Sequence, residues 1–176
     1  MLKYFIGGLV LITIICVIFG VIKSHKINKE IYDKLLKLTK LNNLILEKGK
    51  ETDYLISNGE EILLKIFICK IPSNSSITIN SRETISLRWG GSRYGRSYPN
   101  QRYLNEAYTF LKKKDEVMKV LLLYKNTEKI LKYLNESEIA TVNEADTTYD
   151  YKVVTFDNLD SNFNKLFERR KNEKNY

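Results

Sequence analysis

The sequence predicts an α+β protein. An N-terminal transmembrane helix and an amphipathic stalk helix precede a small mixed β-sheet domain covered by helices. Three observations carry this. Residues Tyr4 to Ile22 hold no charge. Apolar residues then recur every three or four positions from Ile27 to Ile45. Beyond residue 60, β-branched runs alternate with helix-like patterns. The expected division is 1–22 as membrane anchor, 23–58 as a basic amphipathic helix, 59–170 as the α+β domain and 171–176 as a frayed charged tail.

The opening run, YFIGGLVLITIICVIFGVI, would span roughly 28 Å as a helix, close to the thickness of a bilayer's hydrocarbon layer. A cleaved signal peptide would be shorter and end in a small-x-small site, and Phe19-Gly20-Val21 is a poor one. The reading is a single-pass signal-anchor with lipid as a partner. Lys23, Lys26 and Lys29 follow at once and are placed at the membrane surface. Lys34, Lys37 and Lys40 extend the series. The excess of lysine behind the span favours a cytoplasmic C-terminal domain. The two cysteines, Cys16 and Cys69, fall in different segments, so no internal disulfide is expected.

Ile27, Ile31, Leu35, Leu38, Leu41 and Ile45 make one apolar stripe on the stalk. It suits either a homodimer seam or packing on the chain's own domain. Next, Glu61–Ile71 reads as a strand, Ser76–Asn80 and Thr84–Trp89 as two alternating strands, and Gly90–Asn100 as a loop. Pro99 is expected to open a helix with Leu104, Ala107, Tyr108 and Leu111 inward. Val117–Tyr124 reads as a central strand. Asn126 is expected to cap a helix with Ile130, Leu131 and Leu134 inward. Tyr149–Phe156 reads as the last strand, before a closing helix with Phe163, Leu166 and Phe167 inward.

Several chemistries lack their residues. The single histidine, His25, lies beside the anchor, so a histidine-based triad has no base within the domain. There is no Cys/His cluster for zinc and no glycine-rich phosphate loop, so no metal and no cofactor is expected. Asp160-Ser-Asn162-Phe-Asn164 imitates the first ligands of a calcium loop, but lysines stand at its turn and closing positions; it reads as a helix N-terminus. Glu144, Asp146 and Asp150 read as an acidic solvated stretch able to attract a cation.

One local shift in composition stands out. Residues 82–103 hold five of the chain's seven arginines, namely Arg82, Arg88, Arg93, Arg96 and Arg102. Tyr94 and Tyr98 lie among them. Arginine's planar fork matches phosphate or carboxylate oxygens in a way lysine's point charge does not. These seven residues are the candidate anion- or partner-binding site. Together the features favour a non-enzymatic, membrane-anchored binding or assembly module of a multiprotein complex, with a protein partner. The alternative is a membrane-tethered binder of nucleic-acid phosphate or anionic lipid, using that loop and the net charge of +8.

Overall fold

The computed structural model describes the backbone of residues 2–91, 98–135 and 137–168, and side chains within that range from Ile12 on. The chain forms two compact units, Met1–Leu38 and Thr39–Tyr176. The protein is α+β, with a long N-terminal helix and mixed β-sheets.

The first unit is helix α1, Leu2–Leu41, whose last residues enter the second unit. No proline or acidic pair interrupts it, and Lys23, Lys26 and Lys29 are exposed along it. From Ile12 to Ile22 every side chain is exposed, Phe19 at 69%. Among the described residues no helix is long and apolar enough to cross a membrane. The side chains of the uncharged run before Ile12 lie outside those residues. The expected helix is present; its spanning of a bilayer is a proposal.

The stalk pattern runs further than the helix does. Asn43 adopts φ +55°, and Leu44 N–H donates to Thr39 O at 2.9 Å, which closes the last turn. Asparagine tolerates this left-handed conformation, so Asn42-Asn43 stops the helix. Ile45, expected on the helical stripe, opens β1 (Ile45–Lys48) instead, and β2 (Tyr54–Ser57) also falls inside the stretch read as helix. The two pair antiparallel, Leu46 opposite Ile56.

The chain continues through β3 (Ile62–Lys70), β4 (Ser75–Ile79), β5 (Ile85–Trp89) and β6 (Asn100–Tyr103) to helix α2 (Asn105–Lys112). Then come β7 (Met118–Tyr124), β8 (Lys129–Asn135), β9 (Glu138–Thr141), β10 (Thr147–Thr148) and β11 (Tyr151–Thr155). A short helix α3 (Leu159–Asn162) and a 3-10 turn (Asn164–Phe167) follow. One sheet has the order β1-β2-β3-β7-β11-β10, the other β6-β5-β4-β8-β9. β3, β7 and β11 are parallel neighbours in the first, β4 and β8 in the second. The chain therefore passes from first sheet to second and back twice, and each crossover between parallel strands runs through the other sheet.

That topology corrects the expectation of one sheet covered by helices. The segment after Asn126 is β8, held parallel to β4 with Ile77 opposite Ile130. Of the three residues expected inward on a helix there, Ile130 is buried and Leu134 is exposed. A strand buries alternate residues, and a short apolar run does not distinguish the two periods. Pro99 precedes the edge strand β6, where a missing N–H costs no ladder bond. The helix begins after Leu104 and buries Ala107, Phe110 and Leu111, leaving Tyr108 exposed. The core lies between the sheets and under α2, with Cys69, Ile77, Leu87, Leu111, Leu121 and Tyr151 fully buried. Each such aliphatic side chain contributes about 1.5–3 kcal/mol.

One ionic node ties these layers. Lys119 shares the inward parity of Leu121 and Leu123 on β7 and is 1% exposed. Its Nζ donates to the carbonyls of Phe110 (3.3 Å), Leu111 (2.9 Å) and Lys113 (2.7 Å), which close α2. It also lies 3.1 Å from Asp150 Oδ2. A cation there meets the negative end of the helix. Asp150 sits at the tip of the β10–β11 hairpin, after Tyr149 at φ +58°. Arg82, in the β4–β5 turn, donates to it from Nε (3.0 Å) and Nη2 (2.6 Å). Burial alone would raise the Asp150 carboxyl. Hydrogen bonds from Arg82 and Lys119 outweigh it and hold the group below the usual value.

Asp150 thus titrates lower in the folded chain than in the unfolded one. Its stabilisation is present above about pH 4 and is lost as the pH falls through the lower folded value. Denaturant unfolding between pH 3 and 7 is expected to show Asp150→Asn less stable by about 2–3 kcal/mol at neutral pH. It should also show a shallower acid slope than the parent. Equal acid slopes would remove Asp150 from the account.

Candidate functional site

The first sheet reaches past α2 on the side of β1 to β3, and a cleft of about 760 Å³ lies there. Its floor comes from β2 and β3, whose register shifts between Ile56 and Ser57. Leu55 on β2 and Ile62 and Phe67 on β3 line it, with Phe110 of α2 as a wall. The Phe67 and Phe110 rings stack at 5.3 Å. The volume is typical of a small-molecule site, which is mostly apolar with a few placed polar groups.

The rim is charged. Five lysines line the cleft, Lys48, Lys50, Lys65, Lys113 and Lys119, against three carboxylates, Glu51, Glu106 and Asp115. Each carboxylate already has a cation. Asp115 accepts from Lys65, Glu51 from Lys113, and Glu106 from Arg102 at 2.8 and 2.9 Å. Burial alone would raise the Asp115 carboxyl; the Lys65 hydrogen bond and the Val117 N–H (3.2 Å) keep it lower than usual. Hydrogen bonding to Lys113 lowers Glu51. Hydrogen bonding to Arg102 lowers Glu106. All three are acceptors in their charged form. Lys119 is occupied by α2 and Asp150. Lys48, the last residue of β1, and Lys50, beyond it, are exposed, and their ammonium groups have no partner among the described residues.

Of the arginine- and tyrosine-rich stretch, Arg82, Arg88, Tyr98 and Arg102 are among the described residues. Arg82 is taken up by Asp150. Arg102, on edge strand β6, holds Glu106 and donates to Tyr103 O at 3.1 Å. Tyr98 OH donates to Glu128 at 2.8 Å. Arg88 is exposed on β5. Arg93, Tyr94 and Arg96 lie outside the described residues. Two arginines of the candidate site thus act within the fold.

The acidic stretch has structural partners too. Glu144 accepts from Thr155 N–H (2.8 Å) and Asn158 Nδ2 (2.7 Å), and Asp146 from Asn143 Nδ2 (3.1 Å). Among the described residues no group of three or more His, Cys, Asp or Glu is placed to hold a metal. Cys69 is fully buried, and burial pushes its thiol up to about 12, so it is inert as a nucleophile.

The cleft was missed because its residues come from three separate stretches, 48–55, 62–67 and 106–119. One signal was legible. Lys65 and Lys119 each interrupt an apolar strand, EILLKIFICKI and VMKVLLLY, on the inward parity. A lysine there needs a partner or a site.

If Lys65 holds Asp115 in its charged form, Lys65→Met should let that carboxyl titrate at higher pH. Carboxyl-carbon NMR across an acid titration reads this directly; an unmoved Asp115 would mean that Lys65 does not act on it.

Compared with family models, with curated proteins and with solved structures, the chain matches none of them.

Proposed function

We propose that this protein is a non-enzymatic binding or assembly module, tethered to a membrane by its N-terminal helix, with the cleft beside α2 as its recognition surface. The observation that carries the reading is the cleft itself. An apolar floor with a stacked aromatic pair lies under a rim whose carboxylates are all neutralised. Such a surface offers burial and orientation rather than a nucleophile and base.

The tether rests on the exposed apolar helix surface. Residues Ile12 to Ile22 face outward on every side of α1. A helix apolar all round calls for a non-aqueous neighbour. In sequence the same uncharged run begins at Tyr4, which brings it close to bilayer length. Lys23, Lys26 and Lys29 then suit an anionic surface, and their excess favours a cytoplasmic domain.

The alternative, phosphate or anionic-lipid binding through residues 82–103, is the weaker reading. Arg82 and Arg102 are committed to Asp150 and Glu106. Charge-assisted pairs of this kind would have to break before an external anion could bind.

Thr109 is exposed on α2 and lines the cleft, so a photo-crosslinking residue there samples the site without touching the core. In alkali-washed membranes it is expected to give adducts that the same residue at Glu138, on edge strand β9, does not. No excess at position 109 would remove the cleft from the proposal, and a chain recovered wholly in the alkaline wash would remove the tether.

A further inference from the structure

We infer that the cleft takes an amphipathic anion, a single carboxylate or phosphate head on a short acyl or aromatic body. This rests on the cleft being the recognition surface. Of the five lysines, Lys119 is closed to any ligand, because three carbonyls and Asp150 surround its ammonium. Lys65 and Lys113 each face one carboxylate. Lys48 and Lys50 are left, two exposed lysines that line the cleft.

Their placement is fixed by the turn between them. A Cβ on Gly49 would lie 2.2 Å from Thr52 Oγ1 and 2.7 Å from the Thr52 carbonyl oxygen. Only glycine lets the chain pass so close to Thr52, with Gly49 N–H bonded to Asp53 O at 3.4 Å. The β1–β2 hairpin therefore presents both lysines beside the trough rather than leaving them on a free tail.

The body of the ligand follows from the floor. Leu55, Ile62, Phe67 and Phe110 offer no hydrogen-bonding side-chain atoms, so they favour hydrocarbon or a ring over sugar or peptide. A cationic amphiphile fits poorly. Every carboxylate on the rim is already paired, and the unpaired charge is positive. A free fatty acid and an acidic bilayer lipid share this chemistry.

The test uses the full chain in phosphatidylcholine nanodiscs with a diazirine-bearing octanoic acid as probe, and peptide mass spectrometry to place the label. Label is expected on the segments carrying Leu55, Phe67 or Phe110, with octanoate competing and octylammonium not. Lys48→Glu with Lys50→Glu should lower labelling at least about fivefold, the product of two weak exposed pairs turned repulsive. Thr109→Trp, which fills the trough from an exposed position, should lower it as well. Partial replacement of the disc lipid by phosphatidylglycerol reads the source. Lost label then marks a bilayer lipid and retained label a free anion, and both support the site. Label confined to residues 4–22, equal competition by octylammonium, or no effect of the charge reversal would each overturn the inference. If position 109 gives adducts while octanoate gives no label, the ligand class falls and the binding-module reading stands.

Discussion

The ammonium of Lys119 has almost no access to water, so its charge has to be met inside the protein. Three backbone carbonyls at the end of α2 and the carboxylate of Asp150 meet it. Asp150 is in turn held by Arg82 from the opposite sheet. Leaving a charge buried and unpaired costs several kcal/mol, about as much as a large part of a domain's net stability. This gives the node leverage that a hydrophobic contact of equal area lacks. A shift of α2, of the β10–β11 hairpin or of the β4–β5 turn would strand one of its members. The left-handed Tyr149 beside Asp150 fits that picture, since such a backbone persists only where its surroundings fix it.

The cleft is a consequence of where α2 is held. The first sheet has six strands, and α2 with the second sheet covers the inner face of its middle strands. β1 and β2 extend past that cover, so Leu55 and Phe67, on the face that is core on β7, line a trough, and Ile62 joins them beside the register shift. Phe67 marks the change: it packs against the core and also lines the trough. Two local irregularities shape the site, the close approach at Gly49 and the register shift beside Ile62.

Strands with strong alternation were legible in the sequence. Glu61–Ile71, Ser76–Asn80, Thr84–Trp89, Val117–Tyr124 and Tyr149–Phe156 match β3, β4, β5, β7 and β11 closely. Segments whose periods overlap were not. Ile130-Leu131 with Leu134 fits a helix as well as a strand, and only pairing with β4 decides it. Ile45 continued a helical stripe that Asn43 had already ended. The arginine cluster was legible as composition, but composition does not say which of its members pair within the fold. Whether an arginine faces a ligand or an acid of its own chain depends on contacts as distant as Arg82 with Asp150. The cleft escaped for the same reason, as the lysine interruptions at 65 and 119 say that something must face them but not what.

The claim that matters most is that Lys119 and Asp150 act as one unit. A double-mutant cycle on unfolding free energy, with Lys119→Met, Asp150→Asn and the pair, measures it. A coupling of about 1.5 kcal/mol or more is expected, because each single change leaves a charge facing a lost partner whereas the double change removes both members of the pair. Additive effects, agreeing within about 0.5 kcal/mol, would contradict it.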